Sequence, residues 1–69
     1  MKRVLIGVRG VEVSDQMKQI VGALQQVKGI NKAASHNLGQ VEVEYDETRL
    51  TTMDLIRTVR EQGFLAGML

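Results

Sequence analysis

Three sets of side chains in this chain could do chemistry. The first lies in the stretch Gly10-Val11-Glu12-Val13-Ser14-Asp15-Gln16, between a strand-like run and a helix-like run. Glu12 and Asp15 supply two carboxylates, the donors a hard ion such as Mg²⁺ or Ca²⁺ takes, though such ions gather several oxygens and often waters. The simpler fate is one acid near a helix start and one acid in solvent, and that reading is preferred. The second set is His36, the only histidine, with the thioethers of Met17, Met53 and Met68. A soft ion such as Cu(I) accepts such donors. However, Met17 and Met53 fall on helix faces that read as core, where methionine fills irregular gaps. The candidate metal ligands are therefore Glu12, Asp15 and His36. The third set is Ser14 with His36, a nucleophile and a base. They lie far apart in sequence on different elements, with no nucleophile elbow, so the chain is read as having no catalytic residues.

The elements that must position these groups follow from periodicity. In "RVLIGVR", Val4, Ile6 and Val8 recur at period two, a strand with one buried face and with Leu5 and Gly7 on the other. In "DQMKQIVGALQQV", Met17, Ile20, Val21, Leu24 and Val27 form one apolar helical stripe. Ser14 or Asp15 is expected to cap that helix, and Gly29 to stop it. "INKAASHNL" has no clear period: Ala33 and Ser35 could face inward, or Ala34, His36 and Leu38. Its small, polar character predicts an edge strand. "NLGQ" reads as a turn, and "VEVEY" alternates Val41, Val43 and Tyr45 against Glu42 and Glu44, so the two runs form a hairpin. Thr51 is expected to cap a second helix, with Asp54 reaching back and Leu50 stapling onto Leu55. That helix carries Leu55, Ile56 and Val59 and stops near Gly63. "FLAGML" is short and apolar and reads as a last strand.

The order β-α-β-β-α-β predicts an α+β, ferredoxin-like sandwich. One four-stranded antiparallel sheet carries both helices on one face. Right-handed crossovers put the first and third strands in the centre. At 69 residues, with no repeat or linker, the chain is read as one domain, 1–69.

Composition narrows the classes. Nine basic and eight acidic residues are interspersed, giving a net charge of +1, and aromatics amount to one Tyr and one Phe. That is neither the electrostatic footprint nor the stacking platform of a nucleic-acid binder. No run of about 18 apolar residues exists to span a membrane, and "MKRVLIGV" fits a strand better than a signal peptide. There is no cysteine, hence no disulfide framework and no thiolate site. A cytoplasmic setting is expected.

Taken together, "VKGI" after the first helix, "VEVEYD" for the third strand and "LIRTVREQGF" for the second helix and its exit resemble the heavy-metal-associated domain, the fold of soluble copper chaperones and of amino-terminal repeats of metal-pumping ATPases. The resemblance covers nearly the whole chain. It implies a metal site of the form Met-x-Cys-x-x-Cys in the loop opening the first helix, where two thiolates grip one soft ion near a helix amino terminus. On that motif Val11 takes the Met place, Val13 the first Cys and Gln16 the second, while Asp15 falls where many bacterial members have His. Phe64 falls where such members place an aromatic beside the loop. Every ligand position departs from the pattern. The resemblance thus implies the fold and a tie to metal transport, but no Cu(I) or Zn²⁺ held in the usual way and no cofactor.

What remains in the loop is apolar. Val11, Val13, Gln16 and Phe64 are the candidate protein-interaction patch, since exposed apolar patches mark contacts. For Val11 the preferred reading is burial in the family's Met place; for Val13 burial and exposure are equally open. The function expected is a docking or regulatory module with a protein partner, and an uncharged last strand admits a homodimer. The alternative is metal or small-ligand binding through Glu12, Asp15, His36 or methionine. Acylphosphatases and amino-acid-sensing regulatory domains share the topology. The first would need a matching Arg and Asn setting and the second a Gly-rich loop at a dimer interface, and neither pattern is present.

Overall fold

Val4, Ile6 and Val8 turn toward the helices and Leu5, Gly7 and Arg9 turn away, as their alternation predicts. The computed structural model describes residues 1–69 and gives β1 (Lys2–Arg9), α1 (Ser14–Gln25), β2 (Ile30–Asn37), β3 (Gln40–Tyr45), α2 (Thr52–Glu61) and β4 (Leu65–Met68). The four strands form one antiparallel sheet in the order β2-β3-β1-β4, with β1 and β3 central. Val4 sits opposite Val43 and Ile6 opposite Val41, so the inward sets of the two central strands coincide. Met17, Ile20 and Leu24 of α1 and Leu55 and Val59 of α2 close over them in a single core with Val8, Ala33 and Tyr45. This is the ferredoxin-like sandwich expected from the pattern.

The second strand was ambiguous for a physical reason. Its pairing with β3 shifts register between Ile30 and Lys32 and again between Ser35 and Asn37. Each shift resets the inside–outside alternation, which erases a period-two pattern. Ala33 is the buried residue, opposite Val43, while Ala34 lies opposite Glu42 on the other face.

Three local expectations are corrected. Neither Ser14 nor Asp15 caps α1: Val13 is the N-cap and has no side-chain acceptor, and Gln16 reaches back from within the helix to the amides of Glu12 and Val13. The helix also ends at Gln25, short of Val27, with Gln26 as a right-handed C-cap. Gly29 is therefore not the helix stop. It sits at φ 105° in the turn into β2, a backbone conformation that favours glycine, and a Cβ there would crowd Leu50 Cδ1 at 3.1 Å. Met53 is not core; it is 56% exposed on the outer side of α2.

The second helix starts as expected. Thr51 Oγ1 accepts from Asp54 N at 3.4 Å, and Asp54 Oδ2 accepts from Thr51 N at 2.8 Å. Leu50 is half-buried against the core. At the other end Gln62 caps and Gly63 follows at φ 95°.

Candidate functional site

Three connections meet at one end of the sandwich. Val8 N donates to Gly39 O at 2.7 Å, which ties the β2–β3 turn to the end of β1. A Cβ on Gly39, whose φ is 84°, would lie 3.0 Å from Val8 O, so only glycine lets the turn approach so closely. Arg9 pairs with Leu65, which brings the α2–β4 turn to the same place. The loop Gly10–Val13 leaves β1 there. This is the end at which the sequence positions its candidate residues.

The loop is closed from inside. Gln16, in the first turn of α1, bends its side chain back so that Oε1 accepts from Glu12 N at 2.6 Å and Val13 N at 3.1 Å. A glutamine at the third helical position can reach back to the amide of the N-cap residue and the one before it, the half of a capping box that the N3 side chain supplies. Val13 lacks an acceptor, so the reciprocal half of a capping box cannot form. The closed loop directs Val11 inward, half-buried against the core, and leaves Val13 54% exposed. Phe64 is half-buried against the same core, with Cδ1 3.7 Å from where a Cβ of Gly10 would stand.

Two residues at this end were not singled out by the sequence reading as surface groups. Leu38 in the β2–β3 turn is 56% exposed and Leu65 at the start of β4 is 63% exposed. The signal for Leu38 was available: a leucine in the polar tetrapeptide "NLGQ" has no core to enter. With Val13 they give three exposed aliphatic side chains on three connections that converge.

The titratable candidates do not converge. No group of three or more His, Cys, Asp or Glu side chains is arranged to hold a metal ion. Glu12 is exposed. Asp15 Oδ1 lies 4.0 Å from Lys18 Nζ, a solvent-exposed pair of small energetic weight. His36 points to the open face of the sheet, with Nε2 3.6 Å from Glu42 Oε2, and Arg3 Nε approaches the other Glu42 oxygen at 3.9 Å. Next along β3, Glu44 accepts from Asn31 Nδ2 at 2.6 Å and from Arg3 at 3.2 Å. The Asn31 amide, and after it Arg3, hold the Glu44 carboxyl below its ordinary value, because both favour the charged form. Met17 is 2% exposed inside the core, while Met53 and Met68 are exposed on α2 and β4. Ser14 opens α1 and His36 lies on β2, and no hydrogen bond joins them.

On the open face a groove of about 470 Å³ runs over the end of β1 and along β4, lined by Gly7, Arg9, Gly39, Leu65, Gly67 and Leu69. Its floor is low because Gly7 and Gly67 are register partners. No helix is long and apolar enough to cross a membrane.

The whole chain superposes on a copper-binding domain from HMA7, a P-type ATPase, with a TM-score of 0.95 at 25% identity, covering 100% of this chain and 95% of that one. The chain has the fold of a heavy-metal-associated domain. The CopZ metallochaperone matches it with a TM-score of 0.86 at 21% identity over 96% of this chain and all of that one. The yeast copper transporter domain Ccc2a matches with a TM-score of 0.88 at 24% identity, over 100% of this chain and 96% of that one. Unlike the Met-x-Cys-x-x-Cys pattern of heavy-metal-associated domains, this chain contains no cysteine. No family model matches the sequence. Two uncharacterized proteins of Haemophilus influenzae are 23% identical over 64 residues, covering 93% of this chain and 94% of theirs.

Proposed function

We propose that this heavy-metal-associated fold is a small protein-interaction or regulatory module related to metal-transport proteins, in which the loop corresponding to the family's metal site is a docking face. The observation that carries the reading is the closed loop. Gln16 takes up the amides of Glu12 and Val13, the residue we match to the first family cysteine is an exposed valine, and Leu38 and Leu65 are exposed on the other two connections at the same end. Exposed aliphatic side chains such as these gain by leaving water, at about 25 cal/mol per Å² of apolar surface covered. They offer no donor to a soft ion. The patch comprises Val13 and Gln16 from the loop, Leu38 and Leu65 beside them, and Val11 and Phe64 supporting from beneath.

We place the domain in the cytoplasm and outside catalysis; its likeness in fold to a metallochaperone and to a copper transporter domain supports that reading. A metal or small ligand held by Glu12, Asp15 or His36 gains no support from the geometry, because the three do not form a cluster.

The test begins with the partner. The immobilised chain is used to capture proteins from its own cells, and the specific one is purified. Affinity is then measured for wild type, Val13→Asp and Leu38→Asp, with Arg57→Ala on the outer side of α2 as a control. A charge placed in a desolvated apolar contact costs at least about tenfold in affinity. Loss in both patch variants with an unchanged control is expected. Unchanged affinity in Val13→Asp and Leu38→Asp overturns the reading.

A further inference from the structure

The two edges of the sheet are built differently. The β2 edge carries two register shifts together with Asn31, Lys32, His36 and Asn37, devices that discourage another strand from adding to it. The β4 edge has none of these: Leu65–Met68 is free of charge, proline and bulge. Leu65 is 63% exposed, Met68 45% and Leu69 67%.

The hydrogen-bond phase of β4 fixes which groups remain free. Leu69 N donates to Leu5 O at 3.2 Å, so residue 69 bonds toward β1. In an antiparallel ladder, bonded and non-bonded pairs alternate. Gly67 opposite Gly7 and Leu65 opposite Arg9 are therefore also turned toward β1. Ala66 and Met68 point their N–H and C=O groups out of the sheet, with no strand beyond them.

We propose that β4 pairs antiparallel with β4 of a second copy of this chain, centred on Gly67, to make one continuous eight-stranded sheet. That register sets Ala66 opposite the partner's Met68 and Met68 opposite the partner's Ala66. Both pairs are of the bonded type, so all four free groups of each strand are satisfied. Shifting the register by two residues leaves one of these pairs unmade. The side chains suit the same two-fold arrangement. On the helix side each Met68 lies beside a small Ala66. On the open face each Leu65 lies beside a Leu69, and the two Gly67 residues meet at the axis without crowding. No charged side chain on the strand opposes its own copy. The complement this edge requires is the edge itself, which identifies a second copy as the occupant.

Leu65 belongs to both surfaces, but Ala66 and Met68, whose backbone groups carry the pairing, lie outside the loop-end patch, so failure of this pairing leaves docking at Val13 untouched. The experiment is sedimentation of the full chain up to millimolar concentration, with NMR on an equal mixture of isotope-labelled and unlabelled protein. The expected result is a dimer with intermolecular contact between the two Gly67 α-protons and slowed amide exchange at Ala66 and Met68. Ala66→Pro removes an outward amide without touching the β1–β4 ladder, as edge positions permit, and should give a folded monomer. Met68→Lys should do the same and covers the case in which proline unfolds the strand. A wild-type monomer throughout, a dimer with contacts at another face, or undiminished dimerisation of Met68→Lys overturns the proposal.

Discussion

Replacing Gln16 by alanine tests the device that closes the loop. The side chain accepts two backbone hydrogen bonds, from Glu12 N at 2.6 Å and from Val13 N at 3.1 Å. A net hydrogen bond contributes about 0.5–1.5 kcal/mol, but water can reach this exposed loop and replace part of what is lost. Loss of a helix-end side-chain bond typically costs about 1 kcal/mol, and Gln16 supplies the side-chain half of a capping box at α1. The expected destabilisation is therefore about 1 kcal/mol. For a chain of 69 residues that lowers Tm by about 4–8 °C. Thermal unfolding followed by circular dichroism reads the shift, and amide exchange should accelerate specifically at Glu12 and Val13. Gln16→Glu keeps an acceptor in the same place and adds a charge near the positive end of the helix. Repulsion from Glu12 and Asp15 offsets part of that gain, so Gln16→Glu should regain the wild-type midpoint. An unchanged midpoint and unchanged exchange at both amides in Gln16→Ala would refute the clamp.

Further outcomes are expected. Leu24→Ala empties a fully buried position of the core and should cost about 2–5 kcal/mol, read as a lower urea midpoint at constant m-value. Glu44, Asp46 and Asp54 are held below their ordinary values, first by Asn31, by the Thr48 hydroxyl and by the Thr51 amide respectively. The folded-state pKa is depressed in each case, so the stabilisation is complete above the unfolded values of 4.5 for Glu44 and 3.8 for the aspartates. It is lost as pH falls through the lower folded values. Tm should be flat near neutrality and drop below about pH 4, and a combined Glu44→Gln, Asp46→Asn, Asp54→Asn variant should show a shallower acid limb. Val13→Cys with Gln16→Cys places two thiols on the scaffold of the family motif and should bind one Cu(I) under anaerobic competition; no binding would show that the loop follows a different path.

Much of the fold was legible because local signals agreed. Val41, Val43 and Tyr45 alternate without interruption, and β3 is unbroken. Thr51 and Asp54 announced α2, and its first turn has that box. Reading failed where local signals were ambiguous. Ser14 and Asp15 have the chemistry of caps, yet the helix begins at Ser14 with Val13 in the N-cap place, and residue type alone does not reveal that start. In β2 the bulges broke the period, so Ala33 and Ala34 could not be told apart until their partners Val43 and Glu42 were known. Met53 misled because methionine suits both core and surface.

The candidate site was only partly visible. Val13 was recognisable as an aliphatic residue where the resemblance sets the family's first cysteine, but its exposure depended on the path of the closed loop. Leu38 and Leu65 join it through the Val8–Gly39 hydrogen bond and the Arg9–Leu65 pairing, both long-range consequences of the sheet. His36 looked like a ligand because it was the only imidazole, and the sheet instead sets it beside Glu42 on the open face.

The most direct test of the central claim is an anaerobic NMR titration of the ¹⁵N-labelled native chain with Cu(I), Zn²⁺ and Ni²⁺. A docking loop without soft donors should show no stoichiometric shift with any of the three. Saturating shifts clustered at Glu12–Gln16, or at His36, would contradict the account and make the loop end a metal site.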